Sequence, residues 1–248
     1  MTSTGELVEL GIRVTGACLG AIGSATDWSL TEARRGQHVG DLDADRAGVA
    51  LLAGAGLSVF SEESGFAGPA GGVVAVIDPI DGSTNASRGI PYWSSSVCFL
   101  DGEGPLAAVV RSAPLGDVYT AIRGGGAYRN GTRVATSGLN VLSGGIIYVN
   151  GNSGGRKPWA QTRSLGSAAL ELALMACGSG DGFVDFSDGL AVWDYAGGTL
   201  ILEEAGGSVA NFDGSGVTWE LVSDRHRLVA GATRELVTGL IEVLANPL

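Results

Sequence analysis

VVAVIDPIDGSTN, at residues 73–85, joins an apolar run to an acidic, hydroxyl-rich segment. The run Val73–Ile77 is short, uninterrupted and mostly β-branched, so it predicts a strand that is buried on both faces. Pro79 and Gly82 predict a turn directly after that strand. The strand therefore brings Asp78 to its carboxyl end, where the following segment can begin a helix.

Two carboxylates lie three residues apart in this segment. Asp78 and Asp81, with the carbonyl of Ile80 between them, could supply the hard oxygen ligands that Mg²⁺ prefers. The backbone N–H groups of Gly82 and Ser83 would lie at a helix N-terminus, where phosphate groups bind readily. A surface turn capped by its own aspartates explains the same letters equally well, so the segment alone leaves both interpretations open.

The sequence before this segment predicts two helices and a short strand. Apolar residues recur at helical spacing from Glu6 to Ile22, and a second pattern of this kind runs from Ala44 to Ala53. The polar stretch Thr26–Gly40 between them predicts a loop. Leu57–Phe60 predicts a strand that leads directly to Glu62-Glu63.

The sequence after it changes character near Thr136. Before that point short strands follow one another, and Asn130-Gly131 is a strong hairpin signal, which indicates antiparallel pairing. After it strands alternate with helices. The predicted strands lie at residues 97–100, 106–111, 118–122, 127–129, 146–149, 183–184 and 227–230, and the predicted helices at 167–177, 196–205 and 233–244. The expected fold class is an α+β half, residues 1–136, fused to an α/β half, residues 137–248, in one compact unit.

Composition excludes several classes of protein. The chain has 248 residues, of which 45% are hydrophobic, so it is not disordered. Lys and Arg total 15 against 26 Asp and Glu, a net charge of −11, which argues against nucleic-acid binding because that needs clustered cations. The apolar runs are far shorter than the ~20 residues of a membrane span. An acidic protein that handles phosphates would need metal ions to offset repulsion.

Cysteine usage and the N-terminus bear on location. Cys18, Cys98 and Cys177 are odd in number and widely spaced, which predicts neither a disulfide framework nor a structural zinc site. Residues 1–10 lack the basic and apolar stretches of a secretory signal. We therefore expect a cytoplasmic protein.

Three further groups of acids are candidates for a site, and each has an ordinary structural explanation. Glu62-Glu63 at a strand end could be a solvated loop. Asp194, which follows Trp193, could cap a helix. The acidic run from Asp41 to Asp45 could open a helix by capping it and compensating its dipole.

Rival chemistries fit the sequence less well. Gly151–Gly155 matches the G-x-S-x-G nucleophile motif with Ser153 at its centre, and His226 lies downstream as a serine hydrolase requires. A chain so rich in Gly and Ser gives about one such match by chance. A nucleotide-binding P-loop is excluded because Lys157 is followed by Pro158.

Three segments in this order and at these separations resemble the inositol monophosphatase family of Mg²⁺-dependent phosphatases. They are EES at residues 62–64, DPIDGSTN at 78–85 and WDYAGG at 193–198. Residues 163–169 and 204–207 are also similar to family segments, so the resemblance covers nearly the whole chain. It implies a layered αβαβα sandwich, sensitivity to lithium and a homodimer.

The resemblance implies two or three Mg²⁺ ions in the site. The residues that match the first metal site are Glu62, Asp78 and the Ile80 carbonyl, and those that match the second are Asp78, Asp81 and Asp194. Asp45 matches an acid near a third, weaker ion. The implied mechanism is in-line attack by an activated water, without a phosphoenzyme.

The resemblance also implies roles in catalysis and substrate binding. The residues expected to orient and deprotonate the water are Glu62, Ser83 and Asp45. Those expected to contact the small phosphorylated substrate are Gly82, Ser83, Gly166, Ser167, Ala168, Asp188 and Asp194.

The resemblance indicates the identity of the substrate less directly than it indicates the reaction. Inositol-specific members carry Glu seven residues before the motif acid, whereas this chain has Ser187 there, with Asp188 and Asp185 nearby. myo-Inositol monophosphate is the first candidate, and histidinol phosphate and fructose 1,6-bisphosphate are alternatives. A hypothesis of another class is a non-catalytic regulatory scaffold that keeps the fold.

Overall fold

Two β-sheets of unequal size carry the fold in the computed structural model. The structure describes residues 3–23, 27–31, 37–69, 71–152, 154, 157–221 and 224–245. The larger sheet has eight strands in the order β2-β1-β3-β4-β5-β6-β7-β8, and the smaller has five in the order β10-β9-β11-β13-β12.

The larger sheet and its flanking helices come from the first part of the chain. The helices are α1 (Thr4–Gly23), α2 (Val39–Gly54) and the short α3 (Ser83–Ser87). The strands are β1 (Ser58–Ser61), β2 (Gly65–Ala67), β3 (Val74–Asp81), β4 (Ser94–Asp101), β5 (Gly104–Ser112), β6 (Val118–Ile122), β7 (Gly126–Arg129) and β8 (Thr132–Arg133).

The smaller sheet and three helices follow. The strands are β9 (Ile146–Asn150), β10 (Gln161–Arg163), β11 (Gly182–Asp185), β12 (Ser208–Asn211) and β13 (Leu228–Gly231). The helices are α4 (Ala168–Met175), α5 (Val192–Glu204) and α6 (Arg234–Ala245).

Successive side chains of a strand point to opposite faces of its sheet and pack in different cores, and the elements therefore form five layers. On β3, Ala75 and Ile77 pack with the apolar faces of α1 and α2, while Val76 packs in a second core with α4 and α5. That second core also takes Phe183 from the smaller sheet, so α4 and α5 lie between the two sheets. The outer face of the smaller sheet packs on α6. The layered αβαβα sandwich is thus confirmed.

The predicted hairpin turn also agrees with the structure. Asn130 (φ 51°) and Gly131 (φ 76°) both have positive φ in the turn that joins β7 to β8, as a type I′ hairpin requires. Among the described residues, no helix combines the length and apolar character that a bilayer span needs.

Other boundaries differ from the sequence predictions. β3 does not end at Asp78 but continues through Asp81, because a register shift against β4 accommodates Pro79, which has no N–H for the ladder. α2 begins at Val39 rather than at Ala44, and the carboxylate of Asp41 accepts a hydrogen bond from the N–H of His38 (2.7 Å) to cap it. α5 begins at Val192, four residues earlier than predicted.

Four strands were not predicted. β2, β8, β10 and β12 are two to four residues long and lack fully buried side chains, so they show no hydrophobic pattern. They form from pairing with a neighbouring strand rather than from local preference.

Close packing between α4 and α5 depends on Gly198. A Cβ atom at this position would lie 2.7 Å from the Cβ of Leu172 and 2.9 Å from the carbonyl oxygen of Ala169. Both neighbours belong to α4 and neither can rotate away. Gly198 therefore sets the distance between the two helices whose N-termini reach the candidate site.

We expect Gly198→Ala to lower the free energy of unfolding by about 1–3 kcal/mol, because overpacking forces backbone shifts. Gly20→Ala is the matched control, since Gly20 is an exposed helical residue with no atom within 4 Å of an added Cβ. The control should raise stability by up to ~1 kcal/mol. Urea unfolding of both variants measures this; equal effects would contradict the close packing.

Candidate metal centre

Two parallel strands place Glu62 beside Asp78. β1 runs parallel to β3 with Ser61 opposite Ile77, and the N–H of Glu62 donates to the carbonyl of Ile77 (3.2 Å). The residues that follow this pair are Glu62, directly after the end of β1, and Asp78, which lies inside β3. Because the two strands are parallel neighbours, these residues lie side by side and their carboxylates come close together.

Asp194 brings a third carboxylate close to Glu62 and Asp78. It lies in the first turn of α5, where one carboxylate oxygen accepts a hydrogen bond from the N–H of Ala191 (2.7 Å). Carboxylate oxygens of Glu62, Asp78 and Asp194 all lie within 4.8 Å of one another. Ligands of one divalent cation at roughly 2.1–2.5 Å have about this separation, so these three residues could hold a metal ion.

Asp81 lies next to this group but points toward α4. Its carboxylate accepts hydrogen bonds from the Ser167 hydroxyl (2.7 Å) and from the N–H groups of Ala168 (3.2 Å) and Ala169 (2.8 Å). Asp81 therefore caps the N-terminus of α4 and ties the end of β3 to that helix. A carboxylate has about four acceptor positions, so three such bonds leave room for one more partner.

Burial and mutual repulsion raise the pKa values of these acids. Burial, followed by the charges of Glu62, Asp81 and Asp194, raises the pKa of Asp78 well above its ordinary value. Burial raises the pKa of Asp194 to about 7 and that of Asp81 to about 6. Groups that resist ionisation in this way fit a site where a cation balances them, which is the electrostatic condition for a metal centre.

Two serines link Asp45 to the segment that carries Glu62. It is buried in the second turn of α2 and accepts hydrogen bonds from the hydroxyls of Ser61 (2.5 Å) and Ser64 (3.3 Å). These serines flank Glu62-Glu63 in the sequence, and Glu63 in turn accepts a hydrogen bond from Gln37. Asp45 thus holds the segment that carries Glu62, and the capping role suggested for the acidic run belongs to Asp41.

Gly82 brings the two predicted substrate segments into contact. Its φ of 93° lies in the region that favours glycine, and an added Cβ would lie 2.8 Å from the carbonyl oxygen of Gly166. Asn85 closes the same contact, since its side-chain amide donates to the carbonyls of Tyr92 (2.7 Å) and Leu165 (2.7 Å). Ser83 is half-buried at the first position of α3.

A cavity of about 220 Å³ opens beside the acids. The predicted residues that line it are Asp81, Gly166, Ser167, Ala168 and Asp194. Asp188 does not line it: this side chain is exposed, whereas its neighbours Ser187 and Gly189 face the cavity. The turn after β11 directs alternate residues to opposite sides, so the structure does not bring Asp188 to the others.

Sequence reasoning did not name several lining residues, and those with polar side chains are Asn150, Glu171 and Arg225. Burial raises the pKa of Glu171 to about 8, and its carboxyl accepts a hydrogen bond from the N–H of Leu165 (3.0 Å). Arg225 also lines a wider cleft of about 830 Å³ that contains Glu62, Glu63 and Trp193. No local signal marks these residues, because chain segments far apart in sequence bring them together.

The serine-hydrolase alternative gains nothing from the structure. Ser153 lies outside the described residues. His226 pairs through its backbone with Leu190, and its N–H donates to the carbonyl of that residue (2.8 Å).

Comparison with known proteins agrees with this geometry. Residues 50–246 match the inositol monophosphatase family. The chain belongs to this family. It is 36% identical over 211 residues to a fructose-1,6-bisphosphatase/inositol-1-monophosphatase of Archaeoglobus fulgidus, and the match covers 82% of each chain.

Two further relatives show how widely the names of such proteins vary. The chain is 35% identical over 190 residues to the Nus factor SuhB of Escherichia coli, and the match covers 69% of this chain and 70% of the relative. The crystal structure of extragenic suppressor protein SuhB from Bartonella henselae has a TM-score of 0.85 at 24% identity, covers 98% of this chain and 99% of that one, and shares the fold.

This chain is a phosphoric monoester hydrolase, and a phosphorylated metabolite fits the family as substrate.

The raised pKa values predict how stability depends on pH. Because the folded chain binds the Asp194 proton more tightly than the unfolded chain, stability in a chelator should fall as the pH rises from about 4 to about 7. A divalent cation should reverse this loss by binding the ionised acids. Thermal unfolding at pH 5 and pH 7.5, with chelator or with Mg²⁺, measures both effects.

Asp194→Asn should reduce the pH dependence in chelator, because one of the acids with a raised pKa no longer titrates. Asp43→Asn, an acid on α2 outside the group, should keep it. A melting temperature that rises toward neutral pH in chelator, or that is insensitive to Mg²⁺, would contradict the assignment of these acids.

Proposed function

We propose that this chain hydrolyses a small phosphate monoester with Mg²⁺, with myo-inositol monophosphate as the first candidate and histidinol phosphate or fructose 1,6-bisphosphate as alternatives. The observation that carries the proposal is the convergence of Glu62, Asp78 and Asp194 within 4.8 Å at the N-termini of helices. Membership of the family supports the reaction class.

The donor set suits hard cations. Glu62, Asp78 and the carbonyl of Ile80 would hold one ion, and Asp78, Asp81 and Asp194 a second, with Asp45 near a weaker third. The register shift between β3 and β4 leaves Ile80 out of the one-to-one pairing, which favours a role for its carbonyl outside the sheet. When bound, Mg²⁺ would offset the charge of the phosphate dianion and make water a better nucleophile at neutral pH.

The residues of the chain position the nucleophile. Glu62 would accept a proton from the attacking water, and the contacts of Asp45 with Ser61 and Ser64 hold the segment in which Glu62 lies. The hydroxyl of Ser83, at the start of α3, would orient the same water. These groups act from one side of the phosphorus, as in-line attack requires.

Backbone groups position the ester. The N–H groups of Gly82 and Ser83 precede the first hydrogen-bonded turn of α3 and would donate to phosphate oxygens. The alcohol would lie toward Gly166, Ser167 and Ala168, in the cavity that Asp194 also lines. The leaving oxygen would then take its proton from solvent, and no phosphoenzyme forms.

A non-catalytic scaffold explains the site less well. Buried acids that repel one another lower stability, and a protein that acts only through surface contacts has no need of them. The group therefore favours catalysis over the scaffold hypothesis, although relatives include a protein named Nus factor SuhB.

We expect Asp78→Asn and Asp194→Asn each to lower kcat/KM at least ~100-fold, the effect of losing a few kcal/mol of charge stabilisation in the transition state. Neither should lower the melting temperature in chelator, because each removes a repelling buried charge. Asp43→Asn should leave both quantities unchanged. Retention of more than a tenth of the wild-type rate in either site variant would contradict the proposal.

Phosphate release from a panel of monoesters, with Mg²⁺, with chelator and with Li⁺, tests the reaction itself. Mg²⁺-dependent, Li⁺-sensitive release is expected. Ester hydrolysis that persists in chelator would favour Ser153, and an absence of hydrolysis would favour the scaffold. The proposal also includes a homodimer, which light scattering in solution can test.

A further inference from the structure

Arg225 brings a positive charge to an otherwise acidic site. Its Nη1 donates to the carbonyl of Gly189 (2.9 Å) and lies 3.9 Å from a carboxylate oxygen of Asp194. The side chain is 51% exposed, so a ligand in the cavity can reach it. It lines both the 220 Å³ cavity and the wider cleft that contains Glu62.

The backbone of Arg225 is held firmly next to α5. The adjacent His226 forms a bridge with Leu190 through two hydrogen bonds, of 2.9 and 2.8 Å. Gly189 permits this contact, because a Cβ at that position would lie 2.9 Å from the Cβ of Arg225. The backbone that carries this guanidinium is therefore anchored beside the cavity.

The rest of the cavity wall is neutral or already engaged. Asp81 and Glu171 accept hydrogen bonds from backbone N–H groups. Asn150 and Ser187 face the cavity as neutral hydrogen-bonding groups, and the buried Asp185 holds both of them (3.1 Å and 2.6 Å). Among the described residues that line this cavity, Arg225 is the sole basic side chain.

The guanidinium keeps donors for a ligand. Both contacts that it makes with described residues involve Nη1. A guanidinium has five N–H donors in a planar fork that matches carboxylate and phosphate oxygens. Ser187 and Arg225 line the same cavity, so this wall presents a hydroxyl and a cation together.

We propose that Arg225 is a specificity-determining residue that binds an anionic group, either a carboxylate or a second phosphate, on the alcohol part of the substrate. The proposal rests on the proposed function, because it assumes that the reacting phosphate lies at Glu62, Asp78 and Asp194. Arg225 would then favour phosphate monoesters whose alcohol carries a further negative charge.

Two matched pairs of substrates test this, each pair differing only in the second anion. Fructose 1,6-bisphosphate is compared with fructose 1-phosphate, and 3-phosphoglycerate with glycerol 3-phosphate. The wild-type chain should favour the member with the second anion in at least one pair. The pair that responds distinguishes a phosphate from a carboxylate.

Arg225→Ala should reduce that preference, the ratio of kcat/KM within the pair, by about 10-fold or more, mainly through KM, because the contact exists equally in the ground and transition states. Arg225→Lys should give an intermediate ratio, since it keeps the charge but not the fork. Arg227→Ala is the matched control: that guanidinium stacks over Phe212 (4.4 Å) and lines neither cavity, so the ratio should not change.

The outcomes separate the two proposals. A ratio that is the same in wild type and Arg225→Ala, or a wild type without preference in either pair, overturns the role of Arg225 even if the chain is an active phosphatase. If no ester is hydrolysed, the proposed function fails, and calorimetric binding of the same pairs to the Mg²⁺-loaded protein still decides the Arg225 proposal by the same ratio.

Discussion

Repulsion among buried carboxylates is the constraint on which this structure depends. Glu62, Asp78 and Asp194 lie within 4.8 Å of one another, with Asp81 close by, where burial strengthens every electrostatic interaction. Such a group persists only if positive charge or oriented dipoles face it. The five layers of the fold provide the dipoles, since the helices α3, α4 and α5 all begin at the edge of the sheet where β1 and β3 end.

Capping and ligand binding are therefore not exclusive roles here. Asp194 accepts a hydrogen bond from the start of α5 and Asp81 accepts three at the start of α4, and both belong to the candidate site. A helix N-terminus stabilises a nearby negative charge by roughly 0.3–1 kcal/mol or somewhat more when partly buried. The hydrogen bonds that cap these helices also fix the directions of the carboxylates. The same contacts therefore stabilise the fold and position the acids of the candidate site.

The two sides of the site have different origins. The acids come mainly from the larger sheet and the start of α5, whereas much of the wall of the neighbouring cavity comes from the ends of β9 and β11 and from the segment at Arg225. Relatives with names as different as fructose-1,6-bisphosphatase/inositol-1-monophosphatase and Nus factor SuhB match the same chain. In this chain the acids and the cavity wall come from separate segments, so the wall could change without moving the acids.

The sequence by itself determined most helices and strands and the hairpin at Asn130-Gly131, because period-two patterns, helical patterns and turn residues are local properties. The layered fold class and the acids Glu62, Asp78 and Asp194 followed from short motifs that resemble the inositol monophosphatase family. Only the tertiary structure decided that β3 continues through Pro79, that Asp188 points to solvent, and that Asn150, Glu171 and Arg225 face the 220 Å³ cavity beside the acids. Strand pairing and the bridge between Leu190 and His226 fix those outcomes, and contacts between residues distant in sequence leave no periodic trace in the chain.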